Sequence, residues 1–427
     1  LNGVAIPASS VTTSYTSRFD TKLTLGDYSK DSDQLQSTWI QSNWAGGMLI
    51  DHHIEGATEQ RGRWAKAWTM SAEQLSLPPK LETVQFGPTI EADDVDAQGP
   101  ISMPLIEIRG ILYVAMGKEL HTISADLYAY DNVVSEKVAD LPGYAQSAAV
   151  LGETDGVFYI PLGSNGVCTV HSHTNSITPN TVVATNTTIT PMSLVQWDTK
   201  IMALEYSGQV RIFQIVGGTW DAALPALMLP PSDSPRGMEV FYNNSGDLTV
   251  FVVSDRGLWA IDYEIPKLYA SSLRWPKHHN TGMGLTSWRD DALYIASGFS
   301  VTRYTRDGVR TDIGLDRDDG IPADLVLAPW GDADATYHPG RAITSMAGAQ
   351  NFIAALVQLG GPADTIGDYP YALCVWNEGG WHVLVEDVLP YFPEVMSGRY
   401  PTGLFVTENV GGYRLWWGEG GSGLGGT

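Results

Sequence analysis

The sequence predicts an all-β protein: a β-propeller of six or seven blades, preceded by an N-terminal extended arm or small β layer. Three observations predict it. Glycine (45), proline (24) and tryptophan (14) are plentiful while charged residues make up only 17% of the chain, a mix that suits short strands joined by turns rather than helical bundles. Strand-turn-strand units recur along the chain. Their spacing matches the length of one four-stranded propeller blade.

The units open at Ile111 ("ILYVAMGKELHTI"), Val157 ("VFYIPLGSNGVCTV"), Lys200 ("KIMALEYSGQVRIF"), Leu248 ("LTVFVVSDRGLWAID"), Ala292 ("ALYIASGFSVTRYT"), Asn351 ("NFIAALVQLGG") and Tyr413 ("YRLWWGEGG"). The first four steps between them run from 43 to 48 residues, and the last two lengthen to 59 and 62. Most units hold a short apolar strand, a tight polar or glycine turn, and a second alternating strand. Asn165-Gly166 and Ser207-Gly208 carry hairpin chemistry, because glycine accepts the positive φ that tight turns need. A solenoid or a run of sandwich domains is the competing architecture. No linker rich in proline, serine or charge divides the units, which favours the propeller.

Residues 1–85 do not share the repeat and are assigned to the arm, with the propeller over 86–427. This N-terminal stretch holds Trp39, Trp44, Trp64 and Trp68, with Arg61 and Arg63 interleaved. Trp and Arg are the residue types that dominate protein interfaces, so these six are the candidate partner-docking residues. Pro78-Pro79 bars helix in the connector after them, and a helical turn or two is expected only near Ala72–Leu75. Residues 84–108 are expected to close the ring, with Val84–Ile90 pairing near Tyr413–Trp417. Beginning at Leu1 and ending in "GGSGLGGT", the chain is expected to be processed, or to be the ordered part of a longer one.

Charge narrows the partners. The net charge is −23, which repels phosphate backbones and argues against nucleic acid. No apolar run is long enough to span a membrane. Cys168 and Cys374 sit far from any CxxC pattern and read as small buried hydrophobes, with no zinc site and no disulfide framework implied. Glycine-rich nucleotide loops and the G-x-S-x-G elbow are lacking.

The acidic run "DIGLDRDDGIPAD", Asp312 to Asp324, invites a calcium site. EF-hand spacing fails: counted from Asp316 the acids fall at positions 1, 3 and 4, and position 12 is Leu327. Asp316 and Asp318 with backbone carbonyls are a weak metal candidate; a solvated Asp/Gly turn is the default, and no cofactor is expected. The nearest approach to a sialidase Asp-box is "SDRGLW", Ser254 to Trp259, which lacks a spacer and the hydroxyl residue. Among the histidines, the neighbouring pairs His52-His53 and His278-His279 point to opposite sides of an extended strand. His171 and His173 share a face and could chelate weakly. The tryptophans of "WNEGGWHVLVED" and "YRLWWGEGG" read chiefly as wedges between blades.

Within residues 310–420, "IGLDRDDGIPAD", "FIAALV", "YALCVWNEGGWHVLVED" and "RLWWGEGG" resemble the late blades of propeller-bearing virion proteins of tailed bacteriophages. "SNWAGGMLIDHHIEGATEQRGRW" resembles them more faintly. The resemblance implies a structural component of the virus particle, in the tail or on the host-facing surface, that is not an enzyme and carries no catalytic residues to transfer. It implies other virion proteins as partners, a homo-oligomeric or symmetric assembly, and a host-surface receptor as a further partner. The alternative reading is a carbohydrate-binding or glycan-hydrolysing, sialidase-like propeller. A cellular WD-repeat scaffold is disfavoured, because neither the Gly-His nor the Trp-Asp signature recurs.

Overall fold

The computed structural model describes residues 102–124, 134–216, 219–262, 267–275, 281–282, 284–297, 300–314, 343–349, 351–358, 371–376, 381–388, 403–409 and 412–417, together with short strands in the N-terminal hundred residues. Over these the chain is all-β, and its one helical element is a short 3-10 turn at Gly163–Asn165. It is a β-propeller.

Six antiparallel sheets succeed one another in chain order. The first runs Ser102–Ile108, Ile111–Met116, Glu119–Ser124 and Val134–Asp140; the second Val150–Leu151, Val157–Pro161, Val167–His171 and Thr181–Asn186. The third runs Pro191–Trp197, Lys200–Glu205, Gln209–Val216 and Thr219–Met228; the fourth Pro235–Tyr242, Leu248–Ser254, Gly257–Asp262 and Lys267–Arg274. The fifth runs Leu285–Trp288, Ala292–Ser297, Ser300–Thr305 and Arg310–Asp312; the sixth Ile343–Gly348, Ile353–Gln358, Tyr371–Trp376 and Trp381–Val388. A seventh sheet has two strands among the described residues, Leu404–Asn409 and Gly412–Trp417. Its first strand lies beside the inner strands of both the sixth and the first sheets, so the ring is closed. Each repeat unit read from the sequence opens within two residues of the start of the second strand of a sheet.

These residues make these strands because of period-two alternation. In Ile111–Met116, Tyr113 faces the second sheet while Leu112, Val114 and Met116 face the seventh. In Lys200–Glu205, Ile201 and Ala203 face the second sheet while Met202 and Leu204 face the fourth. In Ala292–Ser297, Leu293 and Ile295 face the fourth sheet, and Ala292, Tyr294 and Ala296 face the sixth. A strand wedged between two neighbouring blades is apolar on both faces, which is why these runs read as nearly continuous hydrophobic stretches. The buried side chains accordingly fall into seven clusters, one for each junction between neighbouring sheets. Each fully buried Leu, Ile or Phe contributes roughly 1.5–3 kcal/mol.

Aromatic residues fill the junction between the fifth and sixth sheets. Trp288, Tyr294 and Trp376 meet there, with Trp288 and Trp376 edge-to-face at 5.4 Å. Trp381, fully buried, donates its indole N–H to the Ile313 carbonyl at 2.7 Å. The tryptophans of the "WNEGGW" stretch thus serve packing.

Two expectations are corrected. Gln85–Phe86 runs parallel to Val134–Ser135 on the outer edge of the first sheet rather than joining Tyr413–Trp417. An outermost strand presents unpaired N–H and C=O groups that a passing segment can satisfy. Gln74–Ser76, where a helical turn is expected, is a strand between Ile6–Pro7 and Thr69–Met70; strand pairing overrides weak local propensity there.

Candidate functional site: the axial channel

The inner strands surround a cavity of about 370 Å³ on the ring axis, lined from the second to the seventh sheets. Its wall is mostly apolar, with Met346 and Phe405 among the lining residues. The polar exceptions are Gln146, Tyr206, Arg236 and Glu239 with a few hydroxyl side chains.

Glu239 belongs to the inner strand of the fourth sheet, between Met238 and Val240, which pack toward the third sheet. Alternation turns Glu239 the other way, toward the fifth sheet, where its Oε1 accepts a hydrogen bond from Ser287 Oγ at 2.9 Å. Burial pushes its carboxyl up to about 7, against the lowering effect of the Ser287 hydrogen bond. Desolvation of the charged form is the cause. Glu239 is half-buried: it borders the channel space while the surrounding blades exclude most water around it, which is how a channel-lining acid becomes poorly hydrated.

Arg236, near the start of the same strand, is held below the usual arginine range by burial, partly offset by the Asp255 carboxylate. Its Nε is buried without a hydrogen-bond partner among the described residues. Tyr206 donates its hydroxyl proton to Gln146 Oε1, and Gln146 Nε2 donates to the Tyr144 carbonyl at 2.9 Å. The channel therefore offers one carboxylate that exchanges its proton near neutral pH, one desolvated guanidinium, and hydroxyl and amide groups. No histidine, cysteine or lysine is among its described lining residues, and Glu239 is the sole carboxylate there. A wall of that composition can hold a proton or a small polar ligand. Among its described lining residues there is no two-carboxylate pair of the kind glycoside hydrolysis uses.

The stretch "SDRGLW" forms a structural turn. Ser254 Oγ donates to Asp233 Oδ2 at 2.9 Å and accepts the N–H groups of Arg256 and Gly257. Trp259 Nε1 donates to the same Asp233 oxygen at 3.2 Å, Arg274 pairs with it at 3.4 Å, and the Arg274 guanidinium stacks 4.1 Å over the Trp259 ring. Burial alone would raise the Asp233 carboxyl, but hydrogen bonds from Ser232, Ser254 and Trp259, together with Arg274, hold it below the usual range.

Of the histidines singled out by sequence, His52, His53, His278 and His279 lie outside the described residues, and His171 and His173 have different partners. His171 Nδ1 is bonded to Thr178 Oγ1, whereas His173 Nδ1 lies 3.3 Å from the Tyr113 hydroxyl. No group of three or more His, Cys, Asp or Glu that could hold a metal ion is found among the described residues. Cys168 and Cys374 are buried thiols in separate junctions, and burial raises the Cys168 thiol to about 12. Asp312 ends the outer strand of the fifth sheet and accepts a hydrogen bond from Ser300 Oγ at 2.7 Å. Asp316 and Asp318, and the docking candidates Trp39, Trp44, Arg61, Arg63, Trp64 and Trp68, lie outside the described residues. Glu239 and Arg236 carry no motif. The available signal was a lone acid at an alternate position of an otherwise apolar strand, "GMEVFY".

No family model matches the chain, and no curated protein matches it in sequence. Among solved structures it is similar to the β-propeller domain of Cps50 (Swd1) from Myceliophteria thermophila, at 10% identity and a TM-score of 0.44, covering 74% of this chain and 97% of that one. It is also similar to the computationally designed Ika8 protein, at 11% identity and a TM-score of 0.41, covering 75% of this chain and 96% of that one. A third, U3-55K, matches at 8% identity and a TM-score of 0.44, covering 68% and 81%. The propeller assignment itself stands on the sheets and their order around the axis.

Proposed function

We propose that this chain is a non-catalytic propeller that acts by protein–protein or receptor contacts, as a structural component of a virus particle in the tail or on its host-facing surface. The non-catalytic part rests on the family resemblance of residues 310–420, which carries no catalytic residues to transfer; in the channel wall the one described carboxylate, Glu239, is hydrogen-bonded to Ser287. The virion setting rests on the resemblance of residues 310–420 to late blades of phage virion propellers. The acidic balance of the chain favours partners that present basic or neutral surfaces.

The test has two arms. A Fab raised against the chain and imaged on particles of its source should decorate a ring or spike in fixed copy number. Particles that carry none of the chain overturn the virion setting. In the second arm the purified chain is incubated with sialosides and bacterial surface polysaccharides, and no product is expected. Turnover that is lost in Glu239→Gln would establish the glycan-hydrolysing alternative instead.

A further inference from the structure

Arg236 enters the channel wall through an irregularity in its strand. Pro235 pairs with Ser254 and Gly237 with Val253, so Arg236 is the extra residue of a β-bulge at the start of the fourth sheet's inner strand. A bulge re-aims a side chain that strict alternation would turn the other way. Arg236 accordingly lies on the same side as Glu239, toward the fifth sheet, where a Cβ added to Gly282 would come within 2.9 Å of its own Cβ. Two glycines leave room for it. Gly282 holds φ +78°, and a Cβ on Gly237, the next residue in the wall, would meet Leu285 at 3.4 Å.

The guanidinium so placed is not satisfied by the protein. Its Nε is buried with no hydrogen-bond partner among the described residues, and the Asp255 carboxylate acts on it through charge rather than through a hydrogen bond. Asp255 Oδ1 is engaged elsewhere, accepting the Ser234 N–H at 2.8 Å. A buried donor left unmade costs free energy, and the planar fork of N–H groups on arginine is matched best by a carboxylate. Arg236 and Glu239 are the charged residues described in the wall, and Ser287 faces Glu239 from the fifth sheet. With its carboxyl raised to about 7, Glu239 is largely neutral below that pH and does not repel an anion held at Arg236. The rest of the wall is mostly apolar, with Leu285, Met346 and Phe405 around a space of about 370 Å³, within the range of small-ligand pockets.

We propose that the axial channel is a binding site for a small organic carboxylate with an apolar body, its carboxylate held by Arg236 and its body laid against Leu285, Met346 and Phe405. The bulge at Arg236 and the glycines at 237 and 282 are the parts of the fold that build the site. It stands apart from the virion reading: such a ligand binds whether or not the chain sits in a particle.

The test is isothermal titration calorimetry of the full chain at about pH 6, in buffer free of carboxylates, with hexanoate as the probe and 1-hexanol as its neutral counterpart. One-site binding of hexanoate is expected, with hexanol at least about tenfold weaker. Arg236→Gln should weaken hexanoate by the same factor and leave hexanol nearly unchanged. Gly237→Val keeps Arg236 but fills the space beside it, and should weaken both probes by about tenfold or more; it decides the outcome where Arg236→Gln does not fold. In the wild type the Met346 methyl resonance should shift as hexanoate is added and saturate with the heat, because Met346 lines the cavity. The proposal is overturned by hexanoate that does not bind, or that binds no better than hexanol. Hexanoate that binds a folded Arg236→Gln or Gly237→Val protein as tightly as the wild type also overturns it.

Discussion

Replacing Glu239 with Gln should stabilise the protein above neutral pH and leave its stability almost unchanged at about pH 4. The folded-state carboxyl sits at about 7 against an ordinary value of 4.5, so the folded protein binds this proton more tightly than the unfolded chain does. Stability from this site is therefore greatest below pH 4.5, falls as pH rises toward 7, and is flat above. The full penalty is about 3 kcal/mol, from the size of the shift and the free energy per pH unit. Gln keeps an amide oxygen to accept from Ser287 Oγ and carries no charge to desolvate. For a chain of this length the unfolding entropy converts that penalty into a Tm gain of about 3 to 5 °C at about pH 8. The assay is thermal unfolding of both proteins from about pH 4 to 8, the window that brackets the shift. Other carboxylates titrate alike in both, so the difference between the curves isolates Glu239. Parallel curves, with no gap opening as pH rises, would refute the account of a channel-facing, desolvated carboxylate.

Packing and turns yield further expected outcomes. Trp381→Ala should cost about 4 kcal/mol, read as a lowered denaturant midpoint, because it empties a fully buried site and leaves the Ile313 carbonyl without its indole donor. Gly166→Ala should cost far more than Gly110→Ala, although their φ values are close, +83° and +82°. An added Cβ meets nothing within 4 Å at Gly110 but would lie 1.8 Å from the Asn186 carbonyl oxygen at Gly166. The Gly110 change should therefore cost only about 1–2 kcal/mol, and the Gly166 change should abolish soluble expression. Asp233→Ala should cost about 3 kcal/mol near pH 7, since the donors on Ser254 and Trp259 lose their acceptor. The depressed Asp233 carboxyl contributes stability that is present above its ordinary pKa and lost as pH falls through the folded value. Asp233→Asn should accordingly flatten the acid limb of the wild-type stability curve, and an unchanged acid limb would count against the network.

What the sequence determined by itself was local. Alternation at Lys200–Glu205 or Ala292–Ser297, and turns such as Ser207-Gly208 with its glycine at φ +84°, are written in neighbouring residues. They sufficed for the class, for the position of each blade and for the packing role of Trp376 and Trp381. Only the tertiary structure decided the rest. Glu239 is one acid among 48 Asp and Glu residues, and nothing near it marks it. It becomes unusual because ring closure sets the fourth and fifth sheets side by side and brings Ser287 to it. Likewise "SDRGLW" looked like a degenerate motif until the fold brought Asp233 and Arg274 onto Ser254 and Trp259. The route of the N-terminal segment escaped a reading of strand patterns for the same reason. Which sheet edge a segment joins depends on which edges the closed ring leaves free, and that is a property of contacts between residues far apart in the chain.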